Sequence, residues 1–181
     1  MDRRVDQITL EAARRGDRAA QTRLLRQLQD IWFRMCLGLV GNAEDAQDAV
    51  QETALRFLRD LPKFRGESSI STWSLGIAIN VTREMRRKAR PMQLAGDEQL
   101  EAVRSAASSP GQRASDTEAR SLVRSTLQHL SERQREAVTL RFFEELSVEE
   151  TAAVMNCAEG TVKATVFQAL RILKNRLKQL A

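Results

Sequence analysis

Tyrosine is missing from this chain, histidine occurs once, cysteine twice and proline three times. Each shortage removes a class of protein. A lone His129 and two distant thiols, Cys36 and Cys157, without any C-x-x-C spacing, cannot assemble a Cys/His metal site. Both thiols are expected to be small packing residues in a reducing cytosol. Six Phe and two Trp are the whole aromatic content. No sustained alternation of Val, Ile and aromatic residues occurs either, so strands are disfavoured and an all-α fold is expected. No apolar run approaches membrane-spanning length, and Met-Asp-Arg-Arg leads into charged sequence rather than an apolar signal core. A cytoplasmic location follows as the expectation. Paired carboxylates, a nucleophile constellation and a phosphate-cradling glycine loop are also missing. Enzyme chemistry, a cofactor and a small-molecule substrate are therefore not expected.

What is present is 42% apolar sequence carrying a net charge of +5, enough for a buried core and suited to a polyanionic partner. It divides into three blocks. The first, 1–89, has helical stripes broken at Gly16-Asp17 and Gly41-Asn42. Val5, Ile8 and Ala12 open it. Leu24, Leu28, Ile31, Met35 and Leu39 form a long stripe, and Ala46, Val50, Thr53, Phe57 and Leu61 form another that Pro62 stops. A fourth helix carries Trp73, Ile77 and Val81. The second block, 90–115, has neither periodicity nor bulk and reads as a flexible linker. Fully extended it would span on the order of 80 Å, more than two turns of B-DNA at about 35 Å each. The third block, 116–181, is helical again, with Leu122, Thr126 and Leu130 at its start. Ser131 is placed to cap a helix running through Val138 and Leu140 to Phe143.

The stretch 146–180 has the layout of a helix-turn-helix: a short amphipathic helix, a turn holding Gly160, and a longer helix. Ser147 and Glu150 make a capping box for the first helix. Val148, Thr151, Ala152 and Met155 share its inner face. On the second helix Val162, Val166, Ala169, Leu170, Leu173 and Leu177 are expected to be buried. Its other face presents Thr161, Lys163, Ala164, Thr165, Phe167, Gln168 and Arg171. After Gly160 come five basic residues and no acid, a bias that suits a phosphate backbone through counterion release. A helical hairpin with a solvated basic face has the same pattern.

In the first block, the loop from Lys63 to Ser71 and the helix after it set Phe64, Trp73, small hydroxyls and Gly66 beside Arg83, Arg86, Arg87, Lys88 and Arg90. Rings and pockets that take bases, next to cations that track a backbone, are what single-stranded nucleic acid requires. Phe64 and Trp73 fit equally well as core residues where the loop rejoins the helix.

These segments, taken together and in order, resemble the bacterial sigma factors of the extracytoplasmic-function (ECF) type, in the sigma-70 family. The likeness rests on Leu-Ser-Glu-Arg-Gln-Arg-Glu-Ala-Val-Thr-Leu-Arg-Phe-Phe-Glu-Glu-Leu-Ser and Gly-Thr-Val-Lys in the third block. Asp45-Ala-Gln-Asp-Ala-Val-Gln-Glu and Phe64-Arg-Gly through Ser-Thr-Trp carry it in the first. The resemblance implies a transcription initiation factor whose partners are core RNA polymerase, promoter DNA and a membrane-linked anti-sigma factor. Asp48, Gln51 and Glu52, three and four residues apart on one face, would dock on the polymerase. Phe64, Arg65, Ser68, Ser69, Ile70, Ser71 and Thr72 would take a flipped base of the melted −10 element, with Trp73, Asn80, Arg83 and Arg87 along the duplex edge. Thr161, Lys163, Ala164, Thr165, Phe167, Gln168 and Arg171 would meet the −35 element. Gln168 stands where relatives often carry Arg, which leaves the upstream sequence preference open. Two other readings share the helix-turn-helix: an operator-binding repressor dimer, and a sigma-like decoy that binds only a regulator.

Overall fold

A computed structural model describes residues 5–180, except 90–124, with side chains placed through 88 and from 125 to 178. Among the described residues there are helices and turns and no strand. The linker at 90–115 and the start of the third block at Leu122 lie outside them.

Four helices build the first half: α1 (Gln7–Arg14), α2 (Arg18–Val40), α3 (Ala43–Asp60) and α4 (Ile70–Ala89). Their boundaries follow from short-range chemistry. The carboxylates of Asp6 and Asp17 accept from the amides of Thr9 and Ala20, capping α1 and α2. Gly41 ends α2 at φ 89°, a left-handed value that costs glycine nothing, and Asn42 caps α3. Pro62 sits in a 3-10 turn, Leu61–Lys63, where its missing N–H is not needed. The long stripe on α2 is buried from Leu24 to Leu39. Trp32, outside that stripe, is also buried; its indole N–H donates to Ser74 Oγ at 2.8 Å, and its ring lies 5.2 Å from Phe57. Phe57 in turn meets Trp73, and Trp73 meets Phe64, so one aromatic chain ties α2, α3, α4 and the loop before α4. Cys36 is inside this core, and burial pushes its thiol up to about 12. Cys157 is only half-buried.

Two expected core positions are corrected here. Ile8 is 83% exposed, and α1 buries Thr9, Leu10 and Ala13 instead. In an eight-residue helix with so few apolar side chains, neighbouring phases fit almost equally well. On α3 it is Ala49 that is fully buried, and Val50 is half-buried.

The second half contains α5 (Glu132–Val138), a π-helical turn (Thr139–Phe143), α6 (Val148–Met155) and α7 (Glu159–Leu180). Both Ser131 and Ser147 form capping boxes, with Gln134 and Glu150 respectively. The helix begun at Ser131 does not stay α-helical to Phe143: it widens at Thr139. The turn between α6 and α7 is made by Asn156, at φ 52°, not by Gly160, which lies in the first turn of α7. Val162 and Ala169 are buried as expected, but Leu170 and Leu177 are 42% and 47% exposed. The small core beneath α7, formed by Leu127, Leu130, Val138 and Ala169, is too short to cover the whole 22-residue helix.

The halves pack on one another. The C-terminal end of α2 meets the π turn, with Gly38 facing the Thr139 side chain. The buried guanidinium of Arg135 donates to the carbonyl of Leu39 at 2.8 Å, where the helix dipole of α2 favours a cation. It also donates to the carbonyls of Leu127, Gln128 and Leu130.

Candidate nucleic-acid and polymerase interfaces

The surfaces expected from the sequence to meet a polymerase and a promoter lie on α3, on α4 with the loop before it, and on α7. On α3, Asp48 and Gln51 are exposed, as is Leu55 nearby. Glu52 shares their side of the helix but is engaged: its carboxylate accepts from Arg56 Nε at 2.6 Å. The other two nitrogens of Arg56 form a bidentate pair with Glu84 at 2.8 Å each, bracing α3 against α4. The hydrogen bonds from Arg56 hold the Glu84 carboxyl below its usual range.

The loop between Phe64 and Ser71 borders a cavity of about 400 Å³, within the size range of ligand sites. Phe64, Arg65, Gly66, Ser68, Ser69, Ile70 and Ser71 line one side; Val5, Gln7, Leu10 and Arg14 line the other. Gly66 takes φ 75°, a left-handed value that glycine adopts without strain. Several of the loop residues are also structural. Phe64 and Ile70 are buried in the core. Ser69 caps α4 through the amide of Thr72 at 3.0 Å, and its hydroxyl bonds to the buried Thr72 hydroxyl. Arg65, Ser68, Asn80 and Arg87 are exposed, and Ser71 and Trp73 are half-buried.

Arg83 is not free. Its guanidinium forks onto Glu136 at 2.7 and 2.6 Å, and Glu136 is 1% exposed. That hydrogen-bonded pairing raises the affinity of Arg83 for its proton. Arg86 pairs with Glu132 at 3.3 Å, and the Thr72 hydroxyl reaches Glu150 at 3.4 Å. Three acids of the second half thus stand against the cationic and hydroxyl groups of α4. Neither this arrangement nor the α1 side of the cavity is foreseeable from the motifs. Arg83 and Glu136 are 53 residues apart, and no local pattern pairs them. The cavity's α1 side did leave a signal, because Gln7, Leu10 and Arg14 are three and four residues apart and so share a face.

On α7 the expected outward face is outward: Thr161, Lys163, Ala164, Phe167, Gln168 and Arg171 are exposed and Thr165 is half-buried. Lys163 makes a loose ion pair with Glu159 at 3.6 Å, on the same helix. Among the described residues no helix is long and apolar enough to cross a membrane.

Comparison with known proteins places these features in a family. The model of sigma-70 region 2 matches residues 23–91, and that of sigma-70 region 4 matches residues 120–173. The RNA polymerase sigma-H factor of Pseudomonas aeruginosa is 34% identical over 97% of this chain and 95% of its own length. The ECF RNA polymerase sigma-E factor of Escherichia coli K12 is 32% identical, again over 97% of this chain and 95% of its own. Among solved structures, CnrH in complex with the cytosolic domain of CnrY matches with a TM-score of 0.70 at 23% identity, over 99% of this chain and all of that one, a likeness of fold. The sigma factor RpoE of Bartonella quintana, bound to the anti-sigma factor NepR, matches with a TM-score of 0.66 at 26% identity, over 87% of this chain and 96% of that one. A two-part helical protein with a helix-turn-helix in its second half is the class that the fold defines. The chain belongs to the sigma-70 family of RNA polymerase sigma factors, in its ECF group.

Proposed function

We propose that this sigma factor docks on core RNA polymerase through the α3 face around Asp48, Gln51 and Leu55. It then reads promoters at two places: with the cavity and α4 at the −10 element, and with α7 at the −35 element. The observation that carries the reading is the outward face of α7. Its polar and basic side chains project together from the second helix of a helix-turn-helix, and among the described residues no ion pair from another element occupies them. Such a face offers donors to base edges and cations to phosphates. Gln168, placed centrally, suits adenine, to which its amide can pair twice. The protein acts as an initiation factor and supplies no catalytic group; the reaction is the polymerase's.

The packed arrangement of the halves supports a resting state. Glu136 and Glu132 occupy Arg83 and Arg86 as phosphates would, so engagement of DNA along α4 exchanges protein carboxylates for nucleic acid. Capture by an anti-sigma factor, as in the Bartonella quintana complex, is proposed for this chain too, with the cytoplasm as its place of work. Run-off transcription with purified core enzyme tests the whole reading. Start sites should appear downstream of paired −10 and −35 elements, and Asp48→Arg with Gln51→Arg should abolish them by preventing holoenzyme assembly. Tight binding of the free protein to an inverted-repeat duplex would favour the repressor instead. Transcription that survives the charge reversal undiminished would remove α3 as the docking face.

A further inference from the structure

Most of the outward face of α7 is polar or cationic, but its middle is not. Phe167 is 68% exposed there, and Ala164, three residues before it, is exposed as well. Both lie across the helix from Val162 and Ala169, which α7 buries, so the ring stands away from the protein. Around this pair are Lys163, Gln168 and Arg171, all exposed, and no acid follows Gly160 in the sequence. A single exposed apolar side chain is ordinary on a protein surface. Phe167 differs in its setting. Cations suited to phosphates flank it, so whatever seats them on DNA also brings the ring to the base edges between.

We infer that Phe167 is a specificity residue: it reads thymine in the −35 element by packing its ring on the 5-methyl group, with Ala164 extending the apolar contact. The inference rests on the reading of α7 as the −35 helix and adds to it the chemical group recognised. In the major groove the base edges carry acceptors, amino donors and one apolar substituent, the methyl of thymine. A ring laid on a carbonyl or an amino group strips it of water and returns no hydrogen bond, which is unfavourable. Laid on the methyl, the same ring removes apolar surface from water on both sides of the contact, which is favourable. Phe167 therefore discriminates twice, gaining at a methyl and losing where a polar group takes the methyl's place. Gln168, its neighbour, holds the donor and acceptor that pair with adenine. The two side chains together bias this part of the element towards A·T pairs.

The test uses the holoenzyme formed with core polymerase and duplex promoter fragments taken from its mapped start sites. Each thymine of the −35 element, on either strand, is replaced in turn by deoxyuridine, which lacks only the methyl group. Binding is measured by competition gel shift at fixed salt. With the unaltered protein, at least one replacement should weaken binding about fourfold, the worth of one buried methyl-sized group. In Phe167→Ala the same replacement should make no difference. At that position 5-methylcytosine should bind better than cytosine with the unaltered protein, and no better with Phe167→Ala. Phe167→Leu, which keeps an apolar side chain and suits a helix, should retain part of the methyl effect. Thermal melting of both variants separates these effects from loss of fold. Suppose every thymine tolerates deoxyuridine while Lys163→Ala and Arg171→Ala each lower the salt slope of duplex binding by about one. Then α7 meets DNA without reading methyl groups, and the inference is overturned. A methyl effect undiminished in Phe167→Ala overturns it also. If Lys163→Ala and Arg171→Ala leave duplex binding and its salt slope unchanged, α7 is not the DNA face. The −35 reading then fails and the inference falls with it, a result distinct from the other two.

Discussion

On α7 the proposed DNA face is open to solvent, whereas on α4 two of the cations, Arg83 and Arg86, are held by carboxylates of the other half. Both faces are basic, and both follow a capping hydroxyl, Ser147 before the helix-turn-helix and Ser69 before α4. They differ in what answers the charge. On α7, among the described residues, the only ion pair to a proposed reading residue is the loose one within the helix. On α4, a buried Glu136 gives Arg83 a hydrogen-bonded partner that no solvated acid could match. A cationic face can therefore be recognised in sequence while its availability is decided by tertiary packing. The proposed duplex face is open, and the proposed strand face has Arg83 and Arg86 engaged.

The sharpest way to break that contrast is Glu136→Arg. It replaces the acceptor of Arg83 with a like charge beside both Arg83 and Arg133. The halves should separate, seen as a larger radius of gyration by small-angle scattering. Affinity for single-stranded −10 sequence should rise about tenfold, equivalent to ~1.4 kcal/mol. Unchanged dimensions and affinity would mean that the acid does not mask α4. A smaller stability effect is expected of Arg135→Met, which leaves several buried carbonyls without their donor. A loss of about 2–3 kcal/mol in urea unfolding is anticipated. Lys163→Ala and Arg171→Ala sharpen the other side of the contrast. Each should weaken duplex binding by the holoenzyme and reduce the salt slope by about one, and to the same extent whether the halves are packed or apart. The smallest effect concerns the brace between α3 and α4. Glu84 is held below its ordinary value near 4.5 by Arg56. Its contribution is thus fully present above that pH and lost as the pH falls through the depressed folded value. For a pair still in part open to solvent, Glu84→Gln should cost only a few tenths of a kcal/mol at pH 7, a difference that should shrink as the pH falls below that ordinary value in parallel urea titrations.

Much of this architecture was legible because it is local. Caps at Ser131 and Ser147 need only a side chain and an amide three residues on, the breaks at Gly16-Asp17 and Gly41-Asn42 fall where α2 and α3 begin, and the long stripe of α2 repeats often enough to fix its phase. Local signals misled where they were short or where the partner was remote. Gly160 looked like the turn, but a glycine can also begin a helix, and Asn156 supplies the left-handed residue. Leu170 and Leu177 follow the apolar period of α7, yet that helix outruns the core beneath it. Of the proposed site residues, the outward face of α7 was read directly from spacing. The occupation of Arg83 by Glu136, the brace from Arg56 to Glu84, and the α1 wall of the cavity are products of folding, whereas Glu52 and Arg56 are an i,i+4 pair that spacing alone allows.

The aromatic chain running from Trp32 through Phe57 to Trp73 and Phe64 has one more consequence. Both tryptophans of the protein belong to the first half, so its intrinsic fluorescence is blind to events confined to the second. Trp73, half-buried and in contact with the Phe64 ring that borders the cavity, gives the proposed strand-reading site a built-in optical reporter that needs no label.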